Sequence, residues 1–333
     1  MNPQSNRNEY FDFLRGIAII FVVGIHTFAC CEGCSEYVRV AEIALRQILN
    51  CAVPLFLAIS GFFLSKKDLS TREQKISFWK KQIPKVYIPT LVWSIPYLYK
   101  STIMYGMPVI NCLIYFFTCS YGVLYFVLVI IQMYLLLPYI SKFCNKYGTV
   151  AFGALSLLSV FIMNTYYQFL SGLHLGLVTI LGYAPLWVGF FILGIYLSRH
   201  STREYDIKSL FILLLSALCI SVIETNLWSS AMGEHYDGYK FSSFLFSYIL
   251  ILILFSKKAE VFFGKVKGFL CGRIIFVGKI SFGIYLLHNL LIPFLQFGGW
   301  AVNWTMVLLG TMLAIVITKS LFPAFAKKYL GFY

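Results

Sequence analysis

The 333-residue chain has few charged side chains, and acidic ones are especially scarce. Charged residues make up 12% of the sequence and apolar residues 59%, and 27 lysines and arginines outnumber 13 aspartates and glutamates. A soluble domain is typically about a quarter charged. So little charge cannot cover the surface of a soluble protein of this length, and the composition therefore predicts a protein that crosses a lipid bilayer several times.

The sequence also lacks the motifs of several large enzyme classes. It contains no phosphate-binding P-loop, no dinucleotide-binding glycine fingerprint and no G-x-S-x-G nucleophile. These absences argue against ATP hydrolysis and redox catalysis. The nine cysteines complete no metal-site spacing, so we expect no metal and no permanently bound cofactor. Cys30, Cys31 and Cys34 are close enough in sequence to form a disulfide.

Apolar runs of about 20 residues, the length that crosses a bilayer, are abundant. They predict an all-α transmembrane helical bundle, organised as a single membrane domain over residues 1–333. The first run is too long for a signal peptide, so we expect it to be retained. A shorter piece, Val109–Cys119, predicts an interfacial or re-entrant helix before the fourth span. The ten predicted spans are Phe11–Cys30, Ile43–Leu64, Val86–Tyr105, Gly122–Ser141, Val150–Tyr166, Leu181–Ser198, Leu210–Thr225, Phe241–Phe255, Ile274–Leu295 and Trp304–Phe325.

Lysines and arginines concentrate in every second segment between the predicted spans. This positive-inside pattern places both termini in the cytoplasm. It also accounts for the net charge of +14 without nucleic acid, which we do not expect as a partner. The basic segment Ser77–Pro89, after the second span, is interpreted as a loop. Two roles are open for it: an interfacial segment that sets topology at the lipid headgroups, or a site for an anionic ligand such as a phosphate-bearing cofactor.

The first span carries three polar side chains that hydrocarbon disfavours, Asp12, Arg15 and His26. A charge at mid-bilayer costs at least ~2.5–3.5 kcal/mol, so such groups usually face a bundle interior or a wet cavity. Arg15 and His26 are eleven residues apart, about three helical turns, so they share one face roughly 16 Å apart. Imidazole is the natural general base near neutral pH, and guanidinium suits phosphate or carboxylate. Arg15 can also pair with Asp12, one turn away.

Two later spans supply further candidates. Glu224 is near the outer end of the seventh span, at about the depth of His26, where it would orient the imidazole, hold a polar acceptor or simply face the outer interface. Ser281, Tyr285 and His288 recur at helical spacing on the ninth span and form a polar stripe. For His288, a hydrogen bond between helices and a catalytic role both stay open.

Several motifs resemble those of the membrane acyltransferases called acyltransferase family 3. The opening signature of that family is Arg or Lys, ten residues and then His, and Arg15 and His26 match it. The chain departs from the family where Gln82 and Lys85 replace two arginines of its basic motif, and where Tyr125 stands in place of Trp. Other similar motifs are Pro54–Phe56 and Ser60–Phe63, Lys85 with Pro89, Gln132 with Tyr134 and Pro138, Leu193–Tyr196, and Ser281–His288.

The resemblance implies an enzyme that moves an acyl group, most commonly acetyl, from cytosolic acyl-CoA to a hydroxyl of an extracytoplasmic sugar or envelope polysaccharide. It implies a bacterial inner or plasma membrane, with the lipid bilayer around the chain. His26 would act as general base or carry the acyl group itself. The residue analysis and the resemblance together give three sets of candidates. The predicted catalytic residues are His26, Arg15, Asp12 and Glu224, and the predicted acceptor-binding residues are Tyr285 and His288. The predicted donor-binding residues are Arg15, Lys80, Lys81, Lys85, Ser60 and Tyr125.

Two other functions are compatible with many spans and sparse intramembrane charge. One is a transporter or flippase for an anionic or glycan substrate, although no paired broken helices occur in corresponding halves of the sequence. The other is a sensor or binding domain without turnover. The presence of both Arg15 and His26 argues against that function.

Overall fold

The computed structural model describes residues 9–29, 33–148, 184–200, 205–232, 240–266 and 268–333, with isolated positions between 150 and 182. These residues form helices joined by short connections, and no strand occurs among them. The helices are α1 (Glu9–His26), α2 (Glu36–Leu49), α3 (Ala52–Leu64), α4 (Arg72–Tyr105), α5 (Val109–Thr118), α6 (Tyr125–Tyr147), α7 (Ala184–Arg199), α8 (Ile207–Met232), α9 (Phe241–Leu254), α10 (Lys257–Val266), α11 (Phe269–Lys279), α12 (Ser281–Leu291), α13 (Trp300–Leu321) and α14 (Pro323–Tyr329).

The all-α prediction is confirmed, whereas the number of spans and the location of the termini stay predictions. Within the described part of the chain, four helical stretches are long and apolar enough to cross a membrane: Glu36–Leu64, Val109–Tyr147, Ile207–Leu227 and Trp300–Leu321. A fifth is a pair, α11 and the helical segment after it, bent by 79°. That bend falls inside the predicted ninth span. About half of the predicted fifth span lies outside the described residues. Cys30 and Cys31, two of the three cysteines considered for a disulfide, lie wholly outside them.

Long apolar helices with exposed apolar faces identify the chain as a multi-pass membrane protein. On α8, Leu213 is 52% exposed and Ile220 49%, and on α13, Leu313 is 62% exposed. Exposed apolar faces of this size are unfavourable in water and fit a lipid environment. The opposite face of α13 is anchored to α1, where the Trp304 indole N–H donates to the Ile20 carbonyl oxygen at 2.8 Å.

The interpretation of Ser77–Pro89 as a loop is wrong, because this segment is helical and belongs to the 34-residue helix α4. A capping box formed by Thr71 and Gln74 begins the helix. Prolines inside it remove backbone donors, which leaves the carbonyl four residues earlier without its helical partner. Pro89 frees the Lys85 carbonyl in this way, and the Tyr333 hydroxyl donates to that oxygen at 2.8 Å.

The same compensation occurs in α6. Pro138 leaves the Tyr134 carbonyl without a helical donor, and the Trp79 indole N–H donates to it at 2.8 Å. Since tertiary contacts supply the missing donors, these prolines do not end their helices.

Glycines allow two pairs of helices to pack with their backbones almost in contact. A Cβ on Gly278 of α11 would overlap the Asp12 carbonyl of α1, and one on Gly16 would overlap the Ile274 carbonyl. In the second pair, α3 against α7, a Cβ on Gly194 would overlap the Ala58 carbonyl. Small residues at such crossings are typical of membrane helix packing. The first crossing holds the turn of α1 that carries Asp12 and Arg15 against α11.

Candidate active site

A cavity of about 950 Å³ runs through the bundle. Arg15 and His26, the two residues singled out on the first span, both line it. Among the described residues in its wall are five cationic side chains and no aspartate or glutamate side chain, so the cavity suits an anionic or polar ligand. Its described polar lining residues are Arg15, His26, Arg46, Asn50, Ser60, Gln82, Lys85, Tyr125, Tyr134, Lys279, Ser281, Tyr285, Lys327 and Tyr333.

One end of the cavity, here called the basic end, is built around Arg15. The Arg15 Nη1 donates to the Asp12 Oδ1 at 2.8 Å, and the guanidinium lies 5.3 Å from the centre of the Phe63 ring. Asp12 is completely buried, so its carboxylate holds Arg15 from behind rather than facing the cavity. Burying a carboxylate is tolerated when it is paired and hydrogen-bonded. Asp12 is thus placed to orient the guanidinium.

Three lysines from separate elements share the cavity wall with Arg15. Lys85 comes from α4, Lys279 from the end of α11 and Lys327 from α14. The overlap between Gly278 and the Asp12 backbone puts Lys279 beside the Arg15 turn of α1. The Tyr333 hydroxyl, four residues after the end of α14, donates to the Lys85 carbonyl of α4 at 2.8 Å. This hydrogen bond and the close packing of α11 against α1 bring the three elements to the basic end.

Of the lysines predicted for donor binding, only Lys85 lines the cavity. Lys80 and Lys81 line a separate shallow depression together with Glu73, Ile76 and Ser77. Five positions separate Lys80 from Lys85, so these two side chains project about 140° apart around α4. Lys81 is one helical turn before Lys85 on the same face, and the depression that it lines lies nearer the start of the helix, with Glu73 and Ile76. The remaining predicted donor residues, Ser60 and Tyr125, do line the cavity.

The opposite end, here called the histidine end, is centred on His26, the last residue of α1. Its imidazole is exposed, and it lines the cavity, so a ligand there can reach it. The His288 ring lies behind it, with 5.3 Å between the two ring centres. An exposed imidazole at the end of a cavity is well placed to accept a proton from a bound hydroxyl.

His288 is completely buried and is not among the described residues that line the cavity. Its Nδ1 lies 3.1 Å from the Ile284 carbonyl oxygen and 2.8 Å from the Tyr285 carbonyl oxygen. Since both neighbours are acceptors, Nδ1 carries the proton and Nε2 is left as an acceptor. This places His288 as a support for the histidine end. Tyr285 does line the cavity, and its hydroxyl donates to the Val123 carbonyl.

A buried polar network borders the histidine end, and the sequence prediction missed it. Arg46 and Asn50 line the cavity, and the Arg46 Nη1 donates to the Asn50 Oδ1. The Asn50 amide donates to the Gln47 Oε1 at 3.0 Å, and the Lys240 ammonium donates to the same oxygen at 2.7 Å. Ser221 adds a further hydrogen bond to that oxygen, at 3.1 Å. The network fixes Arg46 and Asn50 in the cavity wall.

Arg46 is close to the predicted base in space. Its guanidinium lies 5.7 Å from the centre of the Phe28 ring, two residues after His26. A signal for this residue existed in the sequence: Arg46 and Asn50 are one helical turn apart in a segment predicted to enter the membrane. That spacing is the same kind of polar stripe that identified Ser281, Tyr285 and His288.

Glu224 is not among the described residues that line the cavity. Its Oε2 accepts hydrogen bonds from the backbone N–H and the hydroxyl of Ser242, which join α8 to α9. Its predicted role beside His26 stays a prediction. Within the described ranges, no group of three histidine, cysteine, aspartate or glutamate side chains is arranged to hold a metal ion.

Comparison with protein families adds one finding. A family model described as an acyltransferase domain matches residues 8–321, nearly the whole chain. The matched region contains every predicted site residue. No curated protein and no solved structure shows a significant match.

Proposed function

The chain belongs to acyltransferase family 3, and from this premise we propose that it transfers an acyl group, acetyl in the first instance, from acyl-CoA to a hydroxyl acceptor. The acceptor class we propose is an extracytoplasmic sugar or envelope polysaccharide. The basic end would face the cytosol, where acyl-CoA is found, and both chain termini would lie on that side. This orientation follows the distribution of lysines and arginines between the predicted spans.

The observation that carries the proposal is that Arg15 and His26 line one continuous cavity. They lie eleven residues apart on α1, a helical rise of roughly 16 Å. Acyl-CoA has a phosphorylated head and a long, uncharged arm that ends in the thioester. The cationic side chains of the basic end suit the phosphates, and the apolar wall between the ends suits the arm. The thioester would then lie beside His26.

The proposed chemistry is a direct transfer. The neutral His26 imidazole accepts the proton of the acceptor hydroxyl while that oxygen forms a bond to the thioester carbonyl carbon, and the carbonyl electron pair moves to oxygen. The resulting tetrahedral oxyanion then re-forms the carbonyl and breaks the carbon–sulfur bond. The departing CoA thiolate takes the proton from the His26 imidazolium, which restores the neutral base.

Arg46 and Asn50 are proposed to stabilise the oxyanion. Both line the cavity at the histidine end, and both offer N–H donors. Donors that are held in place before the reaction stabilise developing charge without reorganisation, and removal of one typically costs about 10²–10³ in kcat. Gln47 and Lys240 do not line the cavity and would act as positioning residues through Asn50.

The test is to substitute His26→Ala and to measure acyl transfer in sealed vesicles. Labelled acetyl-CoA is supplied on one side, and envelope glycans of the source cell are supplied on the other and analysed by mass spectrometry. We expect wild-type protein to label the glycan. The rate of the variant should be about 10²–10⁴-fold lower, the usual contribution of a general base. His200→Ala is the matched control, because this exposed histidine lies at the end of α7.

Three results would contradict the proposal. Wild-type turnover by His26→Ala would remove histidine from the chemistry. Passage of unmodified glycan or acetyl-CoA across the membrane, without labelled product, would favour a transporter. Equal loss of activity in His200→Ala would mean that histidine substitution acts through stability.

A further inference from the structure

The segment 322–333 lies beyond the matched acyltransferase region, yet it forms part of the cavity wall. It consists of α14 and the residues that follow it. Lys327 and Tyr333 from this segment line the basic end together with Arg15, Lys85 and Lys279. The match to the family therefore does not cover part of the site that the cavity defines.

The segment is firmly packed against the bundle. Phe332 is 2% exposed, and its ring centre lies 6.0 Å from that of Trp93 on α4. The Trp93 indole N–H donates to the Leu330 carbonyl at 3.1 Å. Gly331 has a φ of 71°, a left-handed conformation that favours glycine, and this turn directs Phe332 into the bundle. An anchored segment can hold a ligand-binding side chain in a defined position.

Tyr333 connects the segment to the other walls of the basic end. Its hydroxyl donates to the Lys85 carbonyl at 2.8 Å, and its ring stacks on Phe282 with ring centres 6.3 Å apart. Its own carbonyl accepts from the Lys319 ammonium at 2.7 Å. The hydrogen bond occupies the carbonyl that Pro89 leaves without a helical donor, so this contact replaces an interaction that α4 lacks.

The two neighbouring lysines of α14 project in different directions. Lys327 lines the cavity, whereas the next residue, Lys328, lies over the Tyr329 ring at 4.9 Å from its centre. Neighbouring residues on a helix project about 100° apart, which explains the difference. Of the two lysines, Lys327 is the one whose charge adds to that of the basic end.

We propose that the segment 322–333 is a phosphate-binding arm of the donor site, with Lys327 as a ligand for a phosphate group of the acyl carrier and Tyr333 as a positioning residue for Lys85. This inference rests on the proposed acyl-CoA-dependent transfer. It adds that the arm discriminates a phosphorylated carrier from an unphosphorylated thioester. Ammonium groups bind phosphate through charge-assisted hydrogen bonds, which an uncharged thioester head cannot form.

The experiment compares Lys327→Ala with Lys328→Ala in the full chain, reconstituted in nanodiscs. Two donors are used, acetyl-CoA and S-acetyl-pantetheine, the second of which has the same arm and thioester without phosphates. We expect Lys327→Ala to raise KM for acetyl-CoA by about three- to tenfold with kcat unchanged, and to leave KM for S-acetyl-pantetheine unchanged. Lys328→Ala should leave both KM values unchanged.

Direct binding of CoA to the same proteins separates this inference from the proposed function. Failure of wild-type protein to bind CoA or transfer acetyl from it would overturn the proposed function itself. A second outcome would overturn only the role of the arm: the wild-type protein binds CoA and transfers acetyl from it, but Lys327→Ala and Lys328→Ala have the same KM for acetyl-CoA. An equal rise in KM for both donors in Lys327→Ala would indicate lost packing and would also overturn it. Tyr333→Phe supports the arm if it raises KM for acetyl-CoA alone.

Discussion

The two ends of the cavity are built in different ways. Cations at the basic end come from α1, α4, α11 and α14, and its three lysines are exposed. Around the histidine end, in contrast, Arg46, Asn50 and His288 are buried, and hydrogen bonds determine their orientation. Exposed ammonium groups on flexible stems supply charge without strict geometry, whereas buried networks supply geometry. The difference predicts that substitutions at the basic end change donor affinity and that those at the histidine end change turnover.

The largest effect is expected for Arg46→Gln at the histidine end. If Arg46 stabilises the oxyanion, kcat should fall about 10²–10³, with KM for acetyl-CoA almost unchanged. Steady-state kinetics in nanodiscs provides the measurement, and a melting curve checks that the protein is folded. Arg39→Gln is the matched control, because Arg39 is exposed on the same helix. A rise in KM without a fall in kcat would instead place Arg46 in the donor site.

The next effect is expected at the basic end, for Arg15→Gln. Charged hydrogen bonds contribute about 1.5–3 kcal/mol each, so KM for acetyl-CoA should rise at least about tenfold, with kcat much less affected. Loss of Arg15 also deprives the buried Asp12 carboxylate of its 2.8 Å partner. The double variant Asp12→Asn/Arg15→Gln removes both charges and separates donor binding from that stability cost. If only affinity for the acceptor changed, the assignment of the two ends would have to be reversed.

These two variants also show what the sequence could predict. Asp12, Arg15 and His26 were recognisable because charges and imidazole are rare in an apolar run, and helical spacing put two of them on one face. The family motifs added the reaction class. Arg46 had a local signal as well, its one-turn spacing from Asn50, which the prediction did not use. The contributions of Lys279 and Lys327 depend on which helices meet, and no local pattern contains that information. Within the helical segment Ser77–Pro89, the Lys85 carbonyl that Pro89 frees accepts a hydrogen bond from Tyr333, 248 residues away in the chain, and no local pattern shows this contact.

A smaller effect concerns the helix crossing that supports the basic end. Gly278→Ala would push a methyl group into the Asp12 carbonyl of α1, so we expect a loss of about 1–3 kcal/mol in stability from overpacking. Thermal unfolding in detergent, followed by tryptophan fluorescence, provides the measurement. Gly272→Ala on the same helix is the matched control, since nothing lies within 4 Å of its added Cβ. Equal melting temperatures for the two variants would contradict close packing of α1 against α11.

The smallest effects distinguish the lysines of α4 from one another. The sequence prediction assigned Lys80, Lys81 and Lys85 alike to donor binding, but of these three only Lys85 lines the cavity. Lys85→Ala should therefore raise KM for acetyl-CoA by a few-fold, about 1 kcal/mol or less, because the side chain is exposed and solvent screens its charge. Lys80→Ala and Lys81→Ala serve as matched controls on the same helix and should change KM by less than about twofold. The KM effect of Lys85→Ala should also shrink at high salt. Equal rises in KM for Lys80→Ala, Lys81→Ala and Lys85→Ala would show that the phosphorylated head binds on the outer face of α4 rather than in the cavity. The donor site would then include Lys80 and Lys81.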